Sequence, residues 1–455
     1  MDVVDTLENI SLIDLRGTAL DRRTLRSRLP RASAEQNAPL EAVRPLLDDI
    51  RDRGRAAVAD ATARFDGVKT GTFRVPATAL AESVENLDPA VRAGLEEAIR
   101  RVRTVSAAEV PSPRTTTVAD GASITTRHLP ADRVGLYVPG GLAVYPSSVV
   151  MNAVPAQEAG VRSIAISSPP QRDTGLPHPT VLAAAHLLGV GEVWAIGGAQ
   201  AIGAFAFGFS DEDGELGTAE SMEPVDIITG PGNAYVATAK ALVREHVGID
   251  AVAGPTEIIV LADSAADPEY VAADLISQAE HDPLAAAVLV TDSPSLAHAV
   301  DAHLGTRSAA AEHAERIATS LAGPQSGIVL VDSVDAGIAV VNAYAGEHVE
   351  LHVADARDVA GRIVNGGAVF VGPHTPVALG DYIAGSNHVL PTMGTAAFGD
   401  CLSVHAFLRV SQVVEYTRDA LAEVADHISS LATAERLPAH GESVSVRFAD
   451  RSQEG

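Results

Sequence analysis

The alternation of apolar and polar positions divides this chain into stretches of different period, and each period predicts a kind of element. The first 30 residues are charged and only weakly periodic, an arm that needs something else to pack against. From 31 to about 110 the text is helical. In VRPLLDDIRDRGRAAVADATARFDG the apolar residues Val43, Leu46, Leu47 and Ile50 share one helical face, and Asp66-Gly67 then supplies a turn. PSPRTTTVADG, near 111 to 121, reads as a loop. From about 134 short β-rich runs alternate with Ala-rich helical segments: VGLYVP, SSVVMNAVPAQEAG, SIAISS, TVLAAAHLLGV and EVWAIGG. The alternation resumes with EIIVLAD at 257 to 263, a helix from Asp267 to about Gln278, the strand AAAVLVTD, a helix over 296 to 304, and GIVLVD. Such text predicts βαβ units on parallel sheets, hence an α/β fold with two lobes, although no literal repeat marks them. The last 50 residues return to helical text and a polar tail.

With 455 residues, 46% of them hydrophobic and 20% charged, the chain has apolar side chains for substantial cores and a length suited to roughly three domains. No apolar run approaches the roughly 18 residues that span a bilayer, and MDVVDTLENISLIDLRG lacks the basic-then-apolar layout of a signal peptide. The expectation is a cytoplasmic protein with no membrane partner. Cys401 is the only cysteine, which excludes an intrachain disulfide framework and a cysteine-based zinc site, so any metal must sit on nitrogen and oxygen ligands. A formal net charge of -26 argues against a nucleic-acid partner, because phosphate backbones call for clustered Lys and Arg.

Two glycine-rich turns follow strand-like runs: GGAQAIG after EVWAI, and TGPGNAY after VDII. Neither completes G-x-G-x-x-G, since the third position after Gly230-Pro231-Gly232 is Tyr235. By themselves they are tight strand-to-helix turns and do not indicate NAD. Asp267-Pro268-Glu269 is a good helix start, and on the helix that follows Gln278 and His281 lie three apart, on one face near the C-terminal end. That pair is either an ordinary polar face or two ligands of one metal ion. Glu347-His348 precedes an apolar alternation at Val349, Leu351 and Val353, with Glu350 and His352 on the opposite face. Glu beside His suits proton transfer, and equally suits a solvated strand start. Asp381 and His388 fall in VGPHTPVALGDYIAGSNHVLPT, a long irregular loop of the kind that usually has a function. Glu435 and His440, in AERLPAH, read alone as surface residues of a terminal helix.

Side by side, these strings resemble the histidinol dehydrogenase family. RFDGV, VGLYVPGGLAVYPSSVVMNAVPA, GGAQAIGAFAFG, GPGNAYV, AGPTEI, ISQAEHD, NAYAGEHVELHV, GDYIAGSNHVLPT and AERLPAH match in order, over about residues 60 to 440. The resemblance implies NAD-dependent oxidation of L-histidinol through the aldehyde to L-histidine. It implies a zinc ion on Gln278, His281 and Asp381, with His440 contributed by the other subunit of a homodimer, and the substrate's imidazole and amine completing the shell. Glu347 and His348 match the family's acid/base pair; Thr256, Glu435 and His388 line up with substrate contacts, as do Gln278, His281, His348, Asp381 and His440; Tyr137, Gln200 and Asn233 line up with NAD contacts. The implied fold is α/β: two incomplete Rossmann-like parallel-sheet lobes with small N- and C-terminal extensions, in an intertwined homodimer. The expected partition is an arm over 1–30, a first lobe over 31–136 plus 256–402 carrying metal and catalytic residues, a second lobe over 137–255 with the NAD contacts, and an extension over 403–455 packing on the partner subunit.

Three rival readings remain. A relative of the same fold would oxidise another small amino alcohol or polyol with zinc and NAD. A zinc hydrolase would use Glu347 as base and need none of Tyr137, Gln200 or Asn233, and a non-catalytic metal-binding dimer could dispense with Glu347 and His348. A thiol route through Cys401 is disfavoured because FGDCLSV lies apart from the other motifs.

Overall fold

A computed structural model of the chain describes residues 7–32, 37–140, 144–211 and 220–449. The first six residues of the arm, positions 141–143 inside VGLYVPGGLAVYPSSVVMNAVPA, and the last six of the polar tail lie outside the described residues. The chain forms two compact units, one of residues 1–109 and 131–407, the other of 110–130 and 408–455.

The first unit opens with β1 (Leu12–Asp14), α1 (Arg22–Arg28), α2 (Asn37–Arg53), α3 (Arg55–Phe65), α4 (Ala77–Glu85) and α5 (Pro89–Glu109). In the second unit β2 (Arg114–Ala119) and β3 (Ala122–Pro130) form a hairpin. The segment read as a loop near 111–121 is therefore a strand in part. RTTTV is rich in β-branched residues that favour a pleated surface, and pairing with β3 outweighs the Pro and Gly punctuation around it.

Back in the first unit, β4 (Arg133–Tyr137), α6 (Pro146–Glu158), β5 (Ser163–Ser168), α7 (Pro179–Leu187), β6 (Val193–Ala195) and α8 (Gly198–Phe207) lead to a small hairpin of β7 (Phe209–Asp211) and β8 (Glu220–Met222). Then come β9 (Ile227–Thr229), α9 (Ala234–Val243) and β10 (Gly248–Ile249). These strands make a parallel sheet in the order β10-β9-β4-β5-β6. The chain moves outward from β4 to β6, then crosses back to add β9 on the other side of β4, which places a topological switch point between β4 and β9.

β11 (Glu257–Ala262), α10 (Pro268–Ala279), β12 (Ala286–Thr291), α11 (Pro294–Ala310), α12 (Ala314–Ala322), β13 (Gly327–Leu330), α13 (Val334–Tyr344), β14 (His348–His352), α14 (Ala356–Ala360) and β15 (Ala368–Val371) repeat the pattern. Their sheet runs β1-β13-β12-β11-β14-β15, again parallel, with its switch point between β11 and β14. The arm finds its packing within the chain: β1 pairs with β13 at the sheet edge. β11 is apolar on both faces. Ile258 and Val260 pack with Leu275 of α10, while Ile259 and Leu261 pack with Val340 and Val341 of α13. Each such buried side chain contributes roughly 1.5–3 kcal/mol, so the strand is held by its covering helices more than by its own propensity. The helices α2 and α3 share the core of the five-stranded sheet, where Val43, Leu47, Ile50 and Val58 meet Trp194, Phe205 and Ile228, so residues 37–65 join that sheet and not the six-stranded one.

After β15 the chain forms α15 (Val377–Tyr382), the short turns Thr395–Ala397 and Val404–Phe407, and enters the second unit as β16 (Leu408–Tyr416), α16 (Arg418–Ala434) and α17 (Pro438–Ser445). The segment containing Asp381 is thus partly helical. β16 pairs antiparallel with β3 along nine residues to complete a three-stranded sheet. Val410, Val414, Leu431 and Val446 in this unit stand exposed. Among the described residues no helix is long and apolar enough to cross a membrane.

At the switch point of the five-stranded sheet, Gly230 has φ of 117°, and a Cβ there would lie 2.0 Å from the Tyr137 carbonyl oxygen. The Gly230 N–H donates to Asp250 Oδ2 at 2.8 Å and its carbonyl accepts from Lys240 Nζ at 2.9 Å, while the buried Lys240 and Asp250 pair with each other. Gly230→Ala should therefore cost about 3 kcal/mol or more of unfolding free energy, measured by urea denaturation. A variant within about 0.5 kcal/mol of the parent would show that the turn relaxes freely.

Candidate active site

The predicted ionisable residues of the first unit meet at the N-terminal ends of β11 and β14. These central strands run in register, with Ile258 opposite His348, so Thr256 and Glu257 at the start of one face Glu347 and His348 at the start of the other. α10 returns antiparallel to the strands, as a crossover helix must, and delivers Gln278 and, just past its C-cap, His281 to the same edge. Asp381 arrives on α15 and His388 on the loop after it.

A directional chain of hydrogen bonds sets the orientation of this cluster. Glu347 Oε2 accepts from the Thr256 hydroxyl at 2.5 Å and from the Glu257 N–H at 2.9 Å. With its proton given to the carboxylate, Thr256 Oγ1 accepts from Gln278 Nε2 at 2.8 Å. The Gln278 amide is thereby locked with Oε1 pointing away, buried and without a hydrogen-bond partner. Each histidine is held the same way. His348 Nδ1 lies 3.2 Å from the Glu257 carbonyl, His281 Nδ1 3.1 Å from the Ser277 carbonyl, and His388 Nδ1 2.8 Å from the Asp381 carbonyl. A carbonyl only accepts, so in each ring Nδ1 carries the proton and Nε2 presents the lone pair. His388 Nε2 accepts from the Ser148 hydroxyl at 3.1 Å. His348 Nε2 is buried with no hydrogen-bond partner, 3.8 Å from Asp381 Oδ1.

The electrostatics follow from burial. Glu347 is 6% exposed, and its carboxyl is pushed above the usual range by desolvation, with His348, Thr256 and the Glu257 N–H pulling it back. Burial lowers the His388 imidazole against the pull of Asp381, and nearby His348 and His281 lower it further. Glu257, 1% exposed, is raised to about 7 by burial, opposed by Arg31 at 3.6 Å. A charged residue opening the otherwise apolar run EIIVLA was the available sequence signal for Glu257; nothing in the local text marks Ser148.

The three residues aligned with NAD contacts stand at the C-terminal edge of the five-stranded sheet. Tyr137 ends β4, fully buried, and its hydroxyl accepts from the Gly198 N–H at 3.0 Å; desolvation pushes the phenol up. Gln200, in the first turn of α8, donates from Nε2 to Asp66 Oδ2 at 3.0 Å. Asn233 is the N-cap of α9, its Oδ1 accepting from the N–H groups of Tyr235 and Val236. The aspartate of the turn Asp66-Gly67 thus belongs to this group, and burial raises it to about 6. Glu435 and His440 belong to the second unit, where both are exposed.

The histidinol dehydrogenase family model matches residues 29–448. The chain belongs to the histidinol dehydrogenase family. A histidinol dehydrogenase of Nocardia farcinica is 57% identical over 440 residues, covering 96% of this chain and 98% of that protein. One of Thermobifida fusca is 56% identical over 446 residues, covering 98% and 99%. The crystal structure of histidinol dehydrogenase from Elizabethkingia anophelis superposes with a TM-score of 0.89 at 29% identity, covering 97% of this chain and 98% of that one. The family is one of oxidoreductases, and the expected α/β fold with parallel sheets is the observed one.

Asp66 supplies a pH test. Its carboxyl titrates near 6 in the folded chain and near the ordinary 3.8 when unfolded, so the native state binds the extra proton between those values. The stabilisation is complete below the unfolded value and is lost as pH rises through about 6. Asp66→Asn should flatten the fall in unfolding free energy between about pH 4 and 6 by up to one proton. An unchanged slope in denaturant titrations would place the ionisation elsewhere.

Proposed function

We propose that this chain oxidises L-histidinol through L-histidinaldehyde to L-histidine in two consecutive hydride transfers to NAD, with Glu347 and His348 as its acid/base pair. The observation that carries this reading is the buried, unpartnered Nε2 of His348, held as a lone-pair base by the Glu257 carbonyl and set beside Asp381 and Glu347.

The donor set at the edge of β11 and β14 fits zinc. Gln278 Oε1 is buried and orphaned, His281 presents Nε2 at the same edge, and Asp381 offers a carboxylate beside His348, an N/O set that needs no cysteine. We assign Gln278, His281 and Asp381 as ligands, with His440 of the partner subunit as the fourth, and the second-unit extension packing on that partner. Support for the dimer comes from the exposed apolar side chains Val410, Val414, Leu431 and Val446 in the unit that also carries Glu435 and His440. Bound zinc would supply a Lewis-acidic anchor for the substrate's imidazole and amine. NAD would supply the hydride acceptor, and Tyr137, Gln200 and Asn233 stand where open parallel sheets bind dinucleotides, at the C-terminal edge beside a switch point.

In the first oxidation His348 Nε2 takes the alcohol proton as the carbinol hydride departs, which leaves the aldehyde. In the second, Glu347 takes a proton from water as its oxygen attacks the aldehyde carbon, and the protonated His348 returns its proton to the carbonyl oxygen. The resulting hydrate then loses hydride to a second NAD and one hydroxyl proton to the regenerated His348, which leaves the carboxylic acid, and the protons on Glu347, on His348 and on that acid pass to solvent. Burial makes Glu347 a stronger base than a solvated carboxylate, and the donors Thr256 and Glu257 aim it. Thr256 acts here through Glu347 and Gln278. Glu435 is assigned to the substrate amine and His388, held by Ser148, to substrate positioning.

Purified metal-loaded chain with excess NAD should yield two NADH per L-histidinol, with histidine as product. NAD binding without histidinol turnover would favour a relative acting on another amino alcohol or polyol, and absence of NAD binding would favour the hydrolase. Glu347→Gln should slow aldehyde oxidation by at least about 100-fold while sparing much of the first step when aldehyde is trapped; equal loss of both steps would sink this division of labour. His440→Asn should be inactive alone and regain activity when mixed with Glu347→Gln chains, in hybrids that hold one intact site. Failure of subunit-exchanged mixtures to recover would place His440 outside the partner's site.

A further inference from the structure

β14 carries more ionisable groups than the candidate chemistry uses. Its residues alternate faces, so Val349 and Leu351 pack with α13 while His348, Glu350 and His352 point to the face covered by α10. On α10, Asp274 lies one turn before Gln278 and reaches the same face. Glu350 is fully buried. Its Oε1 accepts from the Val377 N–H at 2.7 Å, and its Oε2 has no hydrogen-bond partner. That free oxygen lies 3.4 Å from His352 Nε2, and Asp274 Oδ2 lies 3.6 Å from the same nitrogen. One ligand atom from each of the three residues falls within 4.8 Å of the others.

We propose that Asp274, Glu350 and His352 hold a divalent transition-metal cation, zinc or manganese in kind, at a site distinct from the candidate catalytic cluster. Two carboxylates and a neutral imidazole form an N/O donor set for such ions, and their two negative charges match the charge of one cation. In a tetrahedral shell with bonds of about 2.0–2.1 Å, donor atoms stand about 3.3–3.4 Å apart, close to the 3.4 and 3.6 Å from His352 Nε2 to the two carboxylates. Without a cation, burial and the facing Glu350 carboxylate, with which Asp274 shares a hydrogen bond, push Asp274 up to about 7, and His352 draws it back. The side chains of Glu350 and His352 are 0% and 4% exposed and that of Asp274 is 15%, which leaves Asp274 at the rim where an ion enters.

The position gives the ion a role. It would join α10, which carries Gln278 and leads to His281, to β14, which begins at His348, and through Glu350 to the first N–H of α15, which carries Asp381. One clasp would thus hold three elements that present the candidate active-site groups, about 7 Å along the strand from His348.

The test is the number of ions per chain, by plasma mass spectrometry on full-length protein stripped with chelator, reloaded with zinc or manganese and freed of excess. Two ions in the parent, and one each in His352→Gln and His281→Asn, are expected. The reloaded His281→Asn protein should still melt about 5 °C or more above its stripped form. One ion in the parent with none in His281→Asn would overturn the proposal and leave the triad balanced by protons. One ion in the parent, kept in His281→Asn and lost in His352→Gln, would uphold the clasp and sink the active-site metal instead. Should His352→Gln not fold, the parent and His281→Asn counts decide alone: two and one uphold the clasp, one and none overturn it.

Discussion

β14 lies between β11 and β15 and is covered on both faces, yet it presents His348, Glu350 and His352, and Glu347 directly precedes it. Burying an ionisable group costs several kcal/mol unless partners replace its water. The surrounding structure can be understood as the supply of those partners. Thr256 and the Glu257 N–H serve Glu347, the Glu257 carbonyl serves His348, and the Val377 N–H serves Glu350. Each bond consumes the local polar group that would otherwise compete, so the few atoms left over, Gln278 Oε1 and His348 Nε2 among them, are those free to meet a ligand.

The two parallel sheets share a strand order but present chemistry at opposite ends. In each, a central strand, β4 or β11, is joined by the next two strands on one side and by two later ones on the other, and the six-stranded sheet adds β1 at its edge. The five-stranded sheet places Tyr137, Gln200 and Asn233 at its C-terminal edge, where α8 and α9 begin. In the six-stranded sheet the cluster sits at the N-terminal edge, where α10 ends and its last side chains project beyond the helix. One link between them runs through His388, whose ring joins the Asp381 carbonyl to Ser148 on α6.

Much of this was legible along the chain. The switch from helical to alternating β and α text near 134 marked the parallel sheets, and the ordered motifs marked the family and the candidate groups by number. Three features differ from the local text. RTTTV reads as loop when Pro111 and Pro113 are weighed above the Asp120-Gly121 hairpin turn that joins it to β3, the Asp381 segment reads as wholly irregular, and the text sets α2 and α3 beside the other sheet. Amphipathic helices declare an apolar face but not which core receives it.

The sequence alone determined the element types of the alternating β and α text, the single cysteine, and which side chains are available for acid/base and metal chemistry, because period and residue chemistry are local properties. Tertiary structure alone decided which atom of each side chain is left to act. The proton on His348 Nδ1, the outward Oε1 of Gln278 and the orphaned Oε2 of Glu350 all depend on partners distant along the chain, Glu257, Thr256 and Val377, brought within bonding distance only by strand register and helix return.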